Sequence, residues 1–153
     1  MPRSSNQKQK LLILADIFRT ETNEEHPITL ARLIEILGNN GIEAERKSVY
    51  DDIEVLCQYG MEIEKVGASR NTAYYYAGGT FGLHELKLLA DAVACSKFIT
   101  EKKSKELVAK LSSLANRHDA DELKRNVIVS DRVKNANEQI YYNIDAIQQA
   151  IRE

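Results

Sequence analysis

The sequence has no tryptophan, only two prolines and two cysteines, and no long apolar run. Cys57 and Cys95 lie far apart, each within an apolar helical pattern, so we expect buried, reduced thiols and neither a disulfide nor a metal pair. A membrane span needs about 18 consecutive apolar residues, and a secretion signal needs a shorter apolar segment near the start. Neither pattern occurs, which predicts a cytoplasmic protein without membrane association.

Signatures of catalysis and of metal binding are also missing. The chain has three histidines, His26, His84 and His118. None has a Cys or carboxylate at the spacing of a zinc ligand pair, so we expect solvated surface positions for them. The acidic pairs Asp51-Asp52 and Glu24-Glu25 have no glycine-rich loop, nucleophile or partner acid nearby. The sequence therefore predicts no enzyme, no metal and no cofactor.

An excess of positive charge is absent as well. The net charge is −2, and residues 1–80 contain nine Lys and Arg against twelve Asp and Glu, a net charge of −3 for that part. Proteins that bind nucleic acid normally carry a basic surface, so such a surface must be a local patch here. DNA binding would require a common face for the basic residues Lys8, Lys10, Arg46, Lys47 and Arg70.

The first 40 residues contain helical periodicity. Residues 7–20 place apolar side chains at helical spacing and leave Lys8, Lys10 and Arg19 outside, which predicts one amphipathic helix. Thr29 suits the N-cap of a second helix, and the turn "GNNG" after Leu37 ends it.

The segment "EAERKSVYDDIEVL", residues 43–56, predicts a third helix that begins near Arg46 and stops at Tyr59-Gly60. Its inward residues are Val49, Ile53 and Leu56. A rotation of about 100° per residue then turns Lys47 and Tyr50 outward and leaves Arg46 and Ser48 on the shoulders. These side chains can donate to guanine or to phosphate, as in a DNA-reading helix. Equally, Arg46 and Lys47 can simply balance neighbouring glutamates on a solvated face, and composition leaves both interpretations open.

Residues 61–77 change to a strand pattern. "MEIEKV" alternates, "GASRN" has turn composition and "TAYYYA" is prone to form a strand, which together predict a β-hairpin. Tyr74 and Tyr76 share one face of the second strand and Tyr75 lies on the other. Arg70 and Asn71 fall at the tip, where an arginine can enter a minor groove or contact a phosphate. Three helices followed by a hairpin is the order of a winged helix-turn-helix.

The glycine pair at 78 and 79 predicts a domain boundary. Two further amphipathic helices follow, and "EQIYYNIDAIQQAIRE" predicts a last helix that runs to residue 153. The apolar stripes of the two helices contain Leu86, Leu89, Val93, Leu107, Leu111 and Leu114. We expect a homodimer through these stripes, because exposed apolar patches of that size usually mark an interface. The alternatives are that these helices pack together within a monomer or are covered by another domain.

Four segments resemble bacterial winged helix-turn-helix transcriptional regulators with a C-terminal WYL-type effector domain. They are "RKSVYDDIEVL", "GMEIEKV", "YYYAGGTFGLHELKLLADAVACSKFIT" and "IYYNIDAIQQAI". The resemblance implies a winged helix-turn-helix in residues 1–79, a helical linker and dimerisation region in 80–131, and the start of a WYL domain in 132–153. It also implies that the WYL strands, which would bind an effector ligand, are missing.

The resemblance implies sequence-specific binding of double-stranded DNA and regulation of transcription. The major-groove role passes to Arg46, Lys47, Ser48 and Tyr50, and the wing role to Arg70 and Asn71. Many regulators of similar pattern have a basic residue after the helix tyrosine, whereas this chain has Asp51, so the operator sequence does not transfer. The alternative function is a winged-helix module for protein–protein interaction, which the acidic charge of residues 1–80 favours.

Overall fold

The computed structural model describes residues 5–68, 72–126 and 139–152, which form seven helices and one small sheet. In chain order the elements are α1 Ser5–Glu21, β1 Ile28–Thr29, α2 Leu30–Asn39, α3 Arg46–Gln58, β2 Ile63–Val66, β3 Ala73–Tyr76, α4 Leu83–Cys95, α5 Glu101–Ser112, α6 Arg117–Asn126 and α7 Gln139–Arg152. A mostly helical chain with a small antiparallel sheet was predicted, and it is confirmed. None of the helices in these ranges has the length and apolar character for crossing a membrane.

The chain divides into two compact units. The first comprises Met1–Thr80 and Asn116–His118, and the second comprises Phe81–Ala115 and Asp119–Glu153. The sequence predicted one boundary after residue 79 and another after residue 131. The second of these falls in 127–138, outside the described residues.

A glycine in the left-handed region lies two residues after the last residue of both α2 and α3. Gly41 has φ 75° and Gly60 has φ 103°, values that residues with a Cβ rarely adopt. The amide that follows each glycine donates back into its helix, Ile42 to Leu37 at 2.9 Å and Met61 to Leu56 at 3.0 Å. Ile42 and Met61 are both buried, so each turn also anchors an apolar side chain in the core. The predicted ends of the second and third helices are confirmed.

The sheet has the strand order β1-β3-β2, with both neighbouring pairs antiparallel. The predicted hairpin is β2 with β3. β1 was not predicted, because two residues are too few to show a strand period. The amide of Tyr76 donates to the buried Thr22 hydroxyl at 3.0 Å, which ties β3 to the end of α1.

The core of the first unit collects apolar residues from α1, α2, α3 and β3. Its fully buried members include Leu14, Phe18, Leu33, Leu37 and Val49. Ile53 and Leu56 complete the inward face predicted for α3. Tyr74 and Tyr76, which were predicted to share one face of their strand, both pack on this core. Burial of about ten large apolar side chains is the main stabilising contribution in a unit of this size.

The prediction of buried cysteines is wrong, since Cys57 and Cys95 are both exposed. Cys57 follows the buried Leu56, and Cys95 follows the buried Ala94. A step of one residue rotates a helix position by about 100°, which carries both thiols off the inward face.

The second unit has a smaller core and a helix that was not predicted. Its buried cluster contains Leu86 and Ala90 of α4, Val108 of α5 and Leu123 of α6. Residues 116–126 are mostly polar and showed no helical period, but α6 occupies 117–126 and its Leu123 is fully buried. One leucine among charged neighbours gives no apolar period, which is why the helix was missed.

The apolar stripes of α4 and α5 are partly covered inside the second unit. Leu86 belongs to its core, and Val93 and Leu111 pack against that core. Leu89 and Leu114 remain exposed, together with Leu88. The described part of the predicted last helix is α7, whose Ile147 is exposed.

Candidate nucleic-acid interface

The first two residues of α3 are open to solvent, and its first turn has no acidic side chain. Arg46 and Lys47 are exposed there, and Tyr50, one turn further on, is 44% exposed. The N-cap residue, Glu45, makes no capping hydrogen bond with its side chain. By contrast, the Thr29 side chain caps α2. The first amides of α3 therefore lie beside two cationic side chains without a side-chain cap, an arrangement that favours an anion.

Ser48 lies on the shoulder of α3 and is half-buried against α1. The Lys10 Nζ donates to Ser48 Oγ at 2.6 Å and lies 2.6 Å from Asp52 Oδ2. Asp52 is one turn after Ser48, so the ammonium contacts two successive positions of the same helix face. This three-residue group, Lys10, Ser48 and Asp52, joins α1 to α3, and we call it the lysine cluster.

The two charged members of the lysine cluster are shielded from water, whereas Ser48 is only half-buried. The side chains of Lys10 and Asp52 are 7% and 8% exposed. The Oδ2 atom of Asp52 accepts no hydrogen bond from the described residues, so its 2.6 Å approach to Nζ is an ionic contact without hydrogen-bond geometry. A buried carboxylate of this kind depends on its partner ammonium, because removal of one charge leaves the other without compensation.

Lys10 was expected on the outer surface, and that expectation is wrong. It precedes the buried Leu14 by four residues, so both lie on the inward face of α1. Its contacts with Ser48 and Asp52 compensate the buried charge. Lys10 therefore has no exposed ammonium to contact a phosphate.

Tyr50 connects α3 to the hairpin. Its ring meets the ring of Tyr74 edge-on, with centroids 6.5 Å apart and planes at 67°. Burial raises the pKa of the Tyr74 hydroxyl, and the neighbouring Tyr50 raises it further. The contact holds Tyr50 against the hairpin, although almost half of its surface remains exposed.

Lys65 is a candidate contact that the sequence analysis did not name. It is exposed on β2 directly opposite Tyr74, and residues paired in this way project from the same face of a sheet. Lys65 therefore belongs to the sheet face that carries Tyr74, the tyrosine in contact with α3. The sequence "IEKV" already indicated this position, because Lys65 lies two residues after the inward Ile63. Residues two apart in a strand project from the same face of the sheet.

The predicted site residues are thus accounted for in part. Arg46, Lys47 and Tyr50 are exposed on α3 as predicted, and Ser48 is on its shoulder in the lysine cluster. Arg70 and Asn71 lie outside the described residues. Of the other basic residues expected on this face, Lys8 is exposed and Lys10 is buried.

Two of the three histidines contact each other, which the sequence analysis did not predict. In the first unit His26 and His118 stack with ring centroids 3.7 Å apart. Within the described ranges no three His, Cys, Asp or Glu side chains are grouped so as to hold a metal ion. Comparison of the chain with protein-family models, curated proteins and solved structures finds no match.

Proposed function

We propose that the first unit is a winged helix-turn-helix that binds double-stranded DNA, with α3 in the major groove and the β2–β3 hairpin as the wing. Its setting would be a cytoplasmic regulator of transcription. One observation carries the proposal: the first turn of α3 is uncapped by a side chain and exposes Arg46 and Lys47, with Tyr50 one turn further on.

The chemistry of this surface fits a duplex. The major groove admits one α-helix, and residues at the N-terminal end of such a helix meet the base edges. Arg46 and Lys47 supply donors for guanine or phosphate, and the uncapped amides add partial positive charge for a phosphate. Lys65 adds a cation on the sheet face that carries Tyr74.

The proposal implies weak binding that depends strongly on salt. The first 80 residues carry a net charge of −3, and Lys10 is withdrawn into the interior. Each neutralised phosphate contributes a slope of about −0.9 in log K against log salt, so about three contacts give a slope near −3. Fluorescence anisotropy across a salt series measures this slope on duplexes selected from a randomised pool.

Arg46→Ala tests the carrying observation. We expect binding weaker by about 10-fold, because one cationic contact is lost, and an unchanged melting temperature, because the side chain is exposed. The matched control is Arg19→Ala, which removes an exposed arginine from the last turn of α1. Arg19 lies about 13 Å along that helix from Lys10, the residue of α1 that contacts α3. If both variants bind like the wild type, α3 does not face the duplex.

We also propose a homodimer formed by the second unit, with Leu88, Leu89 and Leu114 in the interface. Leu88 is 71% exposed and Leu114 57% exposed. A two-fold dimer would present two copies of α3 to half-sites about 34 Å apart and so strengthen weak single contacts. Light scattering at micromolar concentration tests this, since a particle near the monomer mass of 17.3 kDa contradicts it. The double variant Leu88→Glu/Leu89→Glu should dissociate the dimer.

The second candidate function is a protein-interaction module. The observations that favour it are the acidic charge of the first 80 residues and the exposed apolar side chains of Leu12, Val55 and Tyr59. The same selection experiment separates the two functions. A pool of random duplexes that yields no enriched sequence, and an anisotropy that does not depend on salt, would support the interaction module.

A further inference from the structure

Lys10 touches the proposed DNA-reading helix from behind. Its ammonium donates to Ser48 Oγ at 2.6 Å and is held in place by Asp52. An ammonium group has three donors and no acceptor, whereas a serine hydroxyl has one donor and two lone pairs. One Ser48 lone pair is therefore occupied from the protein side, and its O–H remains able to donate.

The charge of Lys10 also changes the second lone pair of Ser48. A base that donates to Ser48 would bring its N–H group toward an oxygen already bonded to a buried cation, and the two positive ends repel each other. A base that accepts from Ser48 meets an O–H group polarised by that same cation, which strengthens the bond. The local charge thus favours donation and opposes acceptance.

We infer that Lys10 is a positioning residue that makes Ser48 a hydrogen-bond donor toward DNA, so that Ser48 selects a base edge bearing an acceptor and rejects cytosine. This inference rests on the proposed DNA binding. In the major groove, guanine, adenine and thymine all present acceptors, whereas cytosine presents the N4 donor. A serine hydroxyl without a neighbouring cation can donate to an acceptor edge or accept from a donor edge. The discrimination therefore comes from Lys10.

The test replaces the charged pair and leaves Ser48 in place. Lys10→Met/Asp52→Leu keeps the unbranched stem of the lysine and the branching of the aspartate and removes both charges together, an exchange that buried ion pairs tolerate. Lys10→Leu/Asp52→Asn is a second neutral pair, to be used if the first does not fold. Each protein selects from duplexes with a randomised core of about 20 base pairs, and Ser48→Ala identifies the base pair that Ser48 reads by the loss of preference there.

For the wild type we expect cytosine at that position, on the contacted strand, to be disfavoured by about 10-fold. In the neutral pair the discrimination should fall to about 2-fold or less, while the other positions of the selected motif are unchanged. The slope of log K against log salt should also stay the same, because Lys10 contacts no phosphate in this arrangement. A purely structural role would weaken all positions together.

The matched control is Arg19→Met/Asp16→Leu, which removes one exposed charge of each sign from the same helix and should leave the motif intact. Full cytosine discrimination in the neutral pair would overturn the inference while leaving the proposed DNA binding in force. A Ser48→Ala variant that selects an unchanged motif would also overturn the inference. A neutral pair that loses preference uniformly at all positions would overturn it as well. Failure of the wild type to enrich any motif would instead overturn the DNA binding itself, and the inference with it.

Discussion

Two lysine–carboxylate pairs in this chain share one N–O distance and differ in everything around it. Lys10 and Asp52 approach to 2.6 Å between α1 and α3, with side chains 7% and 8% exposed. Lys87 and Glu122 also approach to 2.6 Å, between α4 and α6, with side chains 33% and 43% exposed. The distance is therefore no guide to what each pair contributes. The access of water to the charges decides it.

The physical difference lies in what remains when one partner is removed. At the surface, water solvates the remaining charge, and such pairs contribute little to stability. In the interior, the remaining charge has lost its hydration and has no replacement, which is strongly destabilising. Asp52 is in the second situation, because its buried Oδ2 accepts no hydrogen bond from the described residues.

The largest effect is expected for Lys10→Met. Asp52 would be left buried without its cation, and the free energy of unfolding of the first unit should fall by about 3–5 kcal/mol. Urea unfolding followed by circular dichroism measures the loss, and Lys87→Met is the matched control at the exposed pair. Equal losses for the two variants would show that burial does not separate the pairs.

Leu123→Ala should have the next largest effect. If the exposed pair contributes little, α6 is held mainly by Leu123, whose side chain is fully buried in the core of the second unit. Truncation should cost about 2–5 kcal/mol of the stability of that unit. Leu88→Ala, at a leucine 71% exposed on α4, is the control and should change little. A tolerated Leu123→Ala would mean that the Lys87–Glu122 pair secures α6 after all.

A smaller effect is expected when both buried charges are removed together. Lys10→Met/Asp52→Leu should unfold within about 1 kcal/mol of the wild type or at higher stability, because neither charge is left alone in the interior. The same urea titration compares it with Lys10→Met. A double variant as unstable as the single one would show that the lost stability comes from packing of the lysine stem, not from the unpaired carboxylate.

Much of the first unit could be predicted from the sequence, because its signals are local. Apolar residues at a period of 3.6 gave the helices, and "TAYYYA" after "GASRN" gave the hairpin. Gly41 and Gly60 end α2 and α3 for a reason visible in the sequence, since glycine is the residue that enters the left-handed region without strain. The same period placed Lys47 and Tyr50 on the outside of α3 and Arg46 on its shoulder.

The missed features depend on partners distant in the chain. The period places Lys10 on the inward face of α1 with Leu14, but only the approach of Asp52, 42 positions later, makes that placement favourable. α6 depends on one leucine that packs against α4 and α5. β1 is two residues long and is defined by its pairing with β3. None of these carries a local pattern that sequence analysis could use.

The smallest expected effect belongs to the exposed pair and appears in its dependence on pH. The hydrogen bond and the charge of Lys87 lower the pKa of Glu122 below its ordinary 4.5. A carboxylate whose pKa is lower in the folded state stabilises that state above its unfolded pKa, and this stabilisation is lost as the pH falls through the lowered value. Lys87→Met should therefore melt within about 2 °C of the wild type at pH 7, and the difference should shrink as the pH falls through the lowered pKa of Glu122. A difference that does not shrink as the pH falls cannot come from the carboxylate and would assign the role of Lys87 to contacts of its aliphatic stem.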